Sequence, residues 1–342
     1  MDISNDIRFG IAGCGMIADY HAMAIEETKG ALLYGACSKT RGHAQNFAER
    51  YGIRCYDGYE EMLDSPEIDA VVICTPSGDH YPMAMQALAA GKDVVIEKPM
   101  CLSMADADSL VAKADRARRT VCVISQSRFS DAAQEIHRAV VDGDFGKMVS
   151  ASLTMRYFRP QSYYDQAGWR GTFAGDGGGV LMNQGIHGID LLCYLMGEPR
   201  SVFGFTRTAL RDIEVEDTAC GTIRFASGTI GVIDATVCSQ PSFTKRFVLC
   251  GEKGTVILED DSIVLWKLDT PCRLPLCSGS GNSSAADPRG ISHVYHQREY
   301  ENLIAHLLRG EALLVDARQG RIPLSVILGI YESSRTGKMV DL

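Results

Sequence analysis

Between Gly177 and Asp190 the sequence reads GGGVLMNQGIHGID, and three of its side chains can do chemistry. In a helix, Asn183, His187 and Asp190 fall at i, i+4 and i+7 and share one stripe about two turns long. His187 is the proton acceptor of the three, because an imidazole with an unperturbed pKa of about 6.5 can take a proton near neutral pH. Asn183 can hydrogen-bond a hydroxyl through either amide atom but cannot accept a proton. Asp190 can orient the imidazole, bind a substrate or pair with a structural cation. The stripe is therefore a catalytic edge or a polar helix face. A second candidate, Lys98, follows the apolar run DVVIE and precedes Pro99, which biases it toward extended backbone. The strand end of a parallel sheet is where ligands bind in doubly wound folds.

The apolar run IRFGIA leads into Gly13-Cys14-Gly15-Met16-Ile17-Ala18, the G-x-G-x-x-A form of a dinucleotide fingerprint. Gly13 permits a tight turn, Gly15 lets backbone approach a pyrophosphate, and Ala18 lets the helix pack closely. The next strand, near 31–37, ends in CSKTR rather than in the carboxylate that holds the ribose of NAD. Ser38, Lys39 and Arg41 suit a 2′-phosphate instead, so NADP is favoured over NAD; the alternative is that the two cations are solvated loop charges. Strands and amphipathic helices then alternate through a helix at 103–119 and a strand at 121–125, the pattern of a doubly wound parallel sheet. Residues 1–127 are expected to form this Rossmann domain. From 128 to 342 a second α/β domain is expected, with a helix near 131–143 and β-prone runs at 145–157, 201–210, 217–226, 228–238, 243–250 and 254–266. These runs predict a large open, mainly antiparallel sheet. Apolar alternation in GTIGVIDATV predicts that its free face is covered by self-association, as a homodimer or homotetramer.

Ahead of the glycine run, RYFRPQSYYDQAGWRGTF sets Arg156, Arg159 and Arg170 among aromatic rings, as a substrate-covering loop or as a strand and packed surface loop. Tyr163 and Arg170 are the binding candidates, since guanidinium forks match carboxylate or phosphate. His296 opens a helix and is a further substrate-binding candidate. Cys272, Cys277, His293 and His296 follow C-x4-C and H-x2-H spacing, near but outside that of zinc fingers, and the SGSGNSSAADPRGIS between them has no apolar staple, so no metal is expected. The stretch 278–290 is the candidate for disorder. A net charge of −9 argues against nucleic acid as a partner, and no apolar run approaches the ~20 residues of a membrane-spanning helix. Twelve cysteines scattered singly, without a CxxC pair, read as reduced thiols of a soluble cytoplasmic protein.

Taken together, GIAGCGMIA, CTPSGDH at 74–80, EKP at 97–99 and GGGVLMNQGIHGIDLL at 177–192 resemble the Gfo/Idh/MocA oxidoreductases, with GEKGTVILED and ESSRTGKMVDL extending the likeness over essentially the whole chain. The resemblance implies hydride transfer between a nicotinamide and a ring hydroxyl carbon of a sugar, a sugar derivative such as a uronic acid or nucleotide sugar, or a cyclitol. It implies that Lys98 and His187 are catalytic: His187 takes the hydroxyl proton and the Lys98 ammonium favours the developing alkoxide. Cofactor contacts are expected at Gly13, Gly15, Met16, Ile17, Ser38, Lys39 and Arg41. Others are expected at Thr75, Pro76, Ser77, His80, Glu97, Lys98 and Gln126. Many relatives carry Asp where this sequence has Asn183, so proton transfer in this segment falls to His187. Two other functions fit the same fold: a redox-neutral glycoside-processing enzyme that regenerates its nicotinamide, and a non-catalytic nucleotide-sensing regulator.

Overall fold

A computed structural model describes residues 6–277 and 292–342; the stretch 278–290 lies outside the described residues. In chain order, β1 (Ile7–Ala12), α1 (Met16–Glu26), β2 (Ala31–Cys37), α2 (Arg41–Tyr51), β3 (Arg54–Cys55) and α3 (Tyr59–Asp64) are followed by β4 (Ala70–Ile73), α4 (His80–Ala89), β5 (Asp93–Ile96), α5 (Met104–Ala117) and β6 (Val121–Val123). Then come α6 (Asp131–Val141), β7 (Met148–Arg156), the short α7 (Gln161–Asp165) and α8 (Phe173–Asp176), and α9 (Ile186–Met196). The strands β8 (Pro199–Arg207), β9 (Thr218–Phe225), β10 (Ile230–Thr236), β11 (Arg246–Gly251), β12 (Gly254–Glu259) and β13 (Ser262–Lys267) precede α10 (Val294–Arg309), α11 (Ala317–Thr336) and β14 (Val340–Asp341).

The chain divides into two compact units, 1–126 with 292–321 and 127–291 with 322–342. In the first unit a six-stranded sheet runs β3-β2-β1-β4-β5-β6 with every pairing parallel. Its central strands AVVI and DVVI are apolar without alternation because helices cover both faces of such a sheet. Local signals set the helix ends. Ser103 caps α5 by accepting the Asp106 N–H at 3.1 Å, and Gly52 ends α2 in the left-handed region.

The linear reading placed everything after 127 in one second domain, but α10 belongs to the first unit. Tyr300, Leu303 and Ile304 join the core built on Phe9, Ile11 and Ile25, with the Tyr300 ring edge-on to Phe9 at 5.4 Å between centroids. A 16-residue amphipathic helix must bury its apolar stripe, and its sequence does not say against which sheet.

The second unit is an eight-stranded sheet of order β13-β12-β11-β7-β10-β9-β8-β14, antiparallel except where β10 lies parallel to β7. β9 alternates buried and exposed residues along TACGTIRF, the period of a half-buried strand. Phe205, Ile230 and Val232 are exposed on β8 and β10.

Candidate active site

At the mouth of the first unit's sheet, Gly13 adopts a φ of +97°, and a Cβ there would lie 2.7 Å from the Cys74 carbonyl oxygen. Only glycine fits this turn between β1 and α1, which passes close to the end of β4. Gly15 is the N-cap of α1 with no side-chain cap bond, and a Cβ on it would meet nothing within 4 Å. The Ala18 N–H reaches back to the Gly15 carbonyl at 3.1 Å, and the uncapped helix start with open space at Gly15 fits the approach of a pyrophosphate. Met16 at this turn is exposed and Ile17 half-buried. Gln126 begins a tight turn after β6, and its Oε1 is buried without a hydrogen-bond partner, an orphaned acceptor that a bound cofactor can satisfy. Beyond β2, Ser38 is half-buried and caps the Thr40 N–H at 3.4 Å, while Lys39 bonds Asp79 at 2.9 Å and Arg41 bonds Asp57 at 3.0 Å, both cations largely in solvent.

The residues flanking Lys98 do not all face a ligand. Glu97, expected among the cofactor contacts, turns its carboxylate inward: Oε1 lies 3.2 Å from His21 Nε2, Oε2 accepts the Lys98 backbone N–H at 3.0 Å, and His21 Nδ1 meets the Tyr300 hydroxyl at 2.8 Å. Burial works against the charge, but the hydrogen bond from His21 and the positive neighbours hold this carboxyl well below the usual range. Glu97 therefore anchors the backbone that presents the half-buried Lys98.

His80 corrects the expectation in the same way. Its ring is 1% exposed and spans two carbonyls, Pro99 at 2.7 Å and Thr75 at 2.9 Å, so it ties the CTPSGDH turn to the segment after Lys98. Burial pushes its pKa down despite those two acceptors. Ser77 is buried in that turn, whereas Thr75 and Pro76 are half-buried. His296, expected to bind substrate, is 1% exposed in the first unit's interior, edge-on to His21 at 5.4 Å, with neither ring nitrogen hydrogen-bonded. His293 instead bonds Glu27 at 2.9 Å.

In the second unit the glycine run does not enter an ordinary helix. Val180–Gly185 form one π-helical turn before α9, a geometry concentrated at functional sites. Glu216 enforces it: Oε2 accepts the Gly179 N–H at 2.8 Å, Oε1 accepts the Leu181 N–H at 2.9 Å and the Tyr331 hydroxyl at 2.8 Å, and its carbonyl accepts the Val180 N–H at 3.0 Å. A Cβ on Gly179 would lie 1.7 Å from that carbonyl oxygen, and one on Gly178 would lie 2.1 Å from the Tyr331 hydroxyl. These glycines are required by close approach to Glu216 and Tyr331. Asn183 sits in the π-turn and donates from Nδ2 to Asp176 at 2.7 Å, while Asp176 also accepts the Gly171 N–H at 2.6 Å.

His187, in the first turn of α9, is half-buried. Asp190 leaves the stripe. It is 1% exposed and grips Arg128 through two bonds of 2.9 and 2.7 Å, and Arg128 also lies 4.9 Å from the Tyr194 ring centre. Its role is the structural-cation pairing that the sequence left open. In the aromatic segment, Arg170 lies over the Tyr163 ring at 4.4 Å and donates to the Tyr163 carbonyl at 3.1 Å.

Comparison with known proteins decides the family. Residues 7–125 match the model of an oxidoreductase family with an NAD-binding Rossmann fold, and residues 133–257 match the GFO/IDH/MocA C-terminal domain. The chain belongs to the GFO/IDH/MocA oxidoreductases.

Its likeness to solved GFO/IDH/MocA-type structures is full-length. It is similar to the WlbA dehydrogenase of Bordetella pertussis, solved with NADH and UDP-GlcNAcA, at 32% identity over 98% of this chain and 99% of that one with a TM-score of 0.88. The WlbA dehydrogenase of Chromobacterium violaceum, solved with the same two molecules, gives 33% identity over 99% and 97% and a TM-score of 0.88. Among curated relatives, the D-glucoside 3-dehydrogenase of Escherichia coli is 27% identical over 99% of this chain and 98% of its own. This GFO/IDH/MocA member is an NAD(P)-dependent oxidoreductase. Sequence reasoning missed Glu216, Arg128, His21 and Tyr300, each of which acts on a segment far away in the chain. None of the four had a local signal; Glu216 itself sits in the acidic run IEVED just before β9.

Proposed function

We propose that the chain oxidises a ring secondary alcohol of a nucleotide-linked, N-acetylated uronic acid of the UDP-GlcNAcA class. The observation that carries this reading is the full-length likeness to two dehydrogenases solved with that molecule, at 32% and 33% identity. The bound nicotinamide supplies the hydride acceptor. Gly13, Gly15 and the first turn of α1 hold the dinucleotide phosphates, and Gln126 meets its other end. His187 takes the proton of the reacting hydroxyl, an assistance worth ~10²–10⁴ in rate. Lys98, fixed through its backbone by Glu97, is the ammonium that favours developing negative charge on a substrate oxygen. Asn183, held by Asp176, orients a ring hydroxyl.

Between the two cofactors, the cations after β2 favour NADP. The surface pairs that occupy Lys39 and Arg41 are worth about 0–1 kcal/mol each, so a 2′-phosphate can displace either carboxylate. The exposed Phe205, Ile230 and Val232 support self-association through the eight-stranded sheet. Twelve unbridged cysteines suit the cytoplasm, and no described helix is long and apolar enough to cross a membrane.

The test is nicotinamide reduction with a panel of UDP-GlcNAcA, UDP-GlcNAc, free sugars and cyclitols, each with NAD and with NADP. Preferential turnover of UDP-GlcNAcA supports the proposal, whereas turnover of a free cyclitol or sugar alone overturns it. For the cofactor, Arg41→Ala should weaken NADP binding and spare NAD. Equal loss for both would remove the 2′-phosphate argument.

A further inference from the structure

We propose that Arg170 and Arg211 form an anion subsite on the second unit, one that receives the carboxylate or the diphosphate of the substrate; the inference rests on the nucleotide-uronic acid reading above. Arg211 was not singled out by the sequence, and three observations lead to it.

The first is missing partners. Arg8, Arg41, Arg128, Arg138 and Arg156 each hold a carboxylate. Among the described residues Arg170 and Arg211 hold none, and the Nε of each is buried without a hydrogen-bond acceptor. A buried guanidinium N–H left unpaired is costly, and an anionic oxygen is the acceptor that removes the cost. The second is the platform. Arg211 lies over the Phe158 ring at 5.3 Å, and Arg170 lies over Tyr163 at 4.4 Å and Trp169 at 5.5 Å. These cation–π contacts restrain each guanidinium.

The third is a loop built to present Arg211. Asp217 accepts the N–H groups of Ala209, Leu210 and Arg211 at 2.8, 2.7 and 2.9 Å, and Thr208 Oγ1 closes the loop onto the Val215 carbonyl at 2.7 Å. Burial opposes the Asp217 charge, but those N–H bonds keep its carboxyl below the ordinary value. The loop is stitched to the aromatic segment, since Glu214 N–H donates to the Gly171 carbonyl at 3.0 Å and Asp212 N–H to Gln161 Oε1 at 2.9 Å. The Glu214 carboxylate accepts the Phe173 N–H at 3.1 Å, and among the described residues no ion pair joins Asp212 or Glu214 to Arg170 or Arg211. Both guanidinium groups thus belong to one ordered patch, next to the Gly171 and Asp176 contact that holds Asn183.

The experiment measures KM and kcat for UDP-GlcNAcA and UDP-GlcNAc, and calorimetric affinities for UDP and glucuronate, in wild type, Arg211→Met, Arg170→Met and Arg211→Lys. Circular dichroism confirms folding, and Arg211→Lys keeps the charge if the Met variant fails to fold. The expected result is a KM for UDP-GlcNAcA raised ~10–100-fold in the Met variants, the range of a lost charged hydrogen bond, with kcat within a few-fold. If the anion is the carboxylate, the loss is confined to UDP-GlcNAcA and glucuronate. If it is the diphosphate, both UDP-sugars and UDP lose affinity together. Wild-type turnover of UDP-GlcNAcA with unchanged KM in the variants overturns the subsite and leaves the function standing. If wild type turns over neither UDP-sugar, the function falls. The subsite is then judged on UDP and glucuronate alone: affinity lost in the variants upholds it, and affinity absent or unchanged overturns it.

Discussion

Replacing Asp190 with Asn separates a structural carboxylate from a substrate-binding one. Asp190 is 1% exposed and makes two hydrogen bonds to an equally buried Arg128. Burial works against the Arg128 charge while Asp190 raises its pKa; without the carboxylate that support is lost, but a guanidinium is not deprotonated in proteins, so the charge remains. Breaking one side of such a pair costs about 3–5 kcal/mol, because the remaining charge is stranded in the interior. In the folding equilibrium that is on the order of 10²–10⁴-fold, read as a lowered midpoint in urea at unchanged m. The double variant Arg128→Met/Asp190→Leu removes both charges and should recover most of the loss, since well-packed apolar replacements of buried pairs are often neutral. KM for the substrate should stay near wild type in that double variant. A single variant with stability within ~1 kcal/mol of wild type and a sharply raised KM would refute the reasoning and restore Asp190 to the substrate.

Gly179→Ala should lower kcat/KM by about 100-fold or more, the scale of an ångström of misplacement, because the new Cβ would lie 1.7 Å from the Glu216 carbonyl oxygen and the π-turn before His187 cannot form; steady-state kinetics on the folded variant reads this. Lys98→Ala should abolish turnover while dinucleotide binding, followed by calorimetry, persists. Burial holds the His296 pKa down at about 4, against about 6.5 in the unfolded chain, so the unfolded state takes up the proton first. The His296 contribution to stability should therefore fall as pH drops from about 6.5 toward about 4, by at most ~1.4 kcal/mol per pH unit, and level off below. Denaturant midpoints at pH 7, 6 and 5 should show this slope, and His296→Phe should make it shallower, leaving the share of the buried His80, whose pKa is also lowered. Glu97 adds no slope in that window, because its lowered pKa makes its contribution fade only below about pH 4. Changing Ile230 and Val232 together to Lys should shift the molar mass seen by light scattering to that of a single chain, with the fold retained, because both side chains are exposed on β10.

What the sequence made legible is what short-range chemistry dictates. The turn at Gly13 needs a positive φ, β4 and β5 read as buried parallel strands from their unbroken apolar runs, and Lys98 follows β5 directly, so its place at a strand end was readable. The errors share one cause: a polar residue's partner is chosen by tertiary structure. Asp190 and Arg128 are 62 positions apart, Glu216 and Gly179 are 37 apart, and His21 and Tyr300 are 279 apart. The i, i+4, i+7 stripe also assumed 3.6 residues per turn throughout. The π-turn at Val180–Gly185 breaks that period, so Asn183 and Asp190 no longer share a face. Its cause lies on β9's side of the unit, where the buried Glu216 takes two backbone N–H groups and a tyrosine hydroxyl. A carboxylate in that position would be costly unpaired, so its three donors and the glycines that let them approach had to arise together. The glycine run is thus half of a contact whose other half is Glu216, and His187 is placed by the pair.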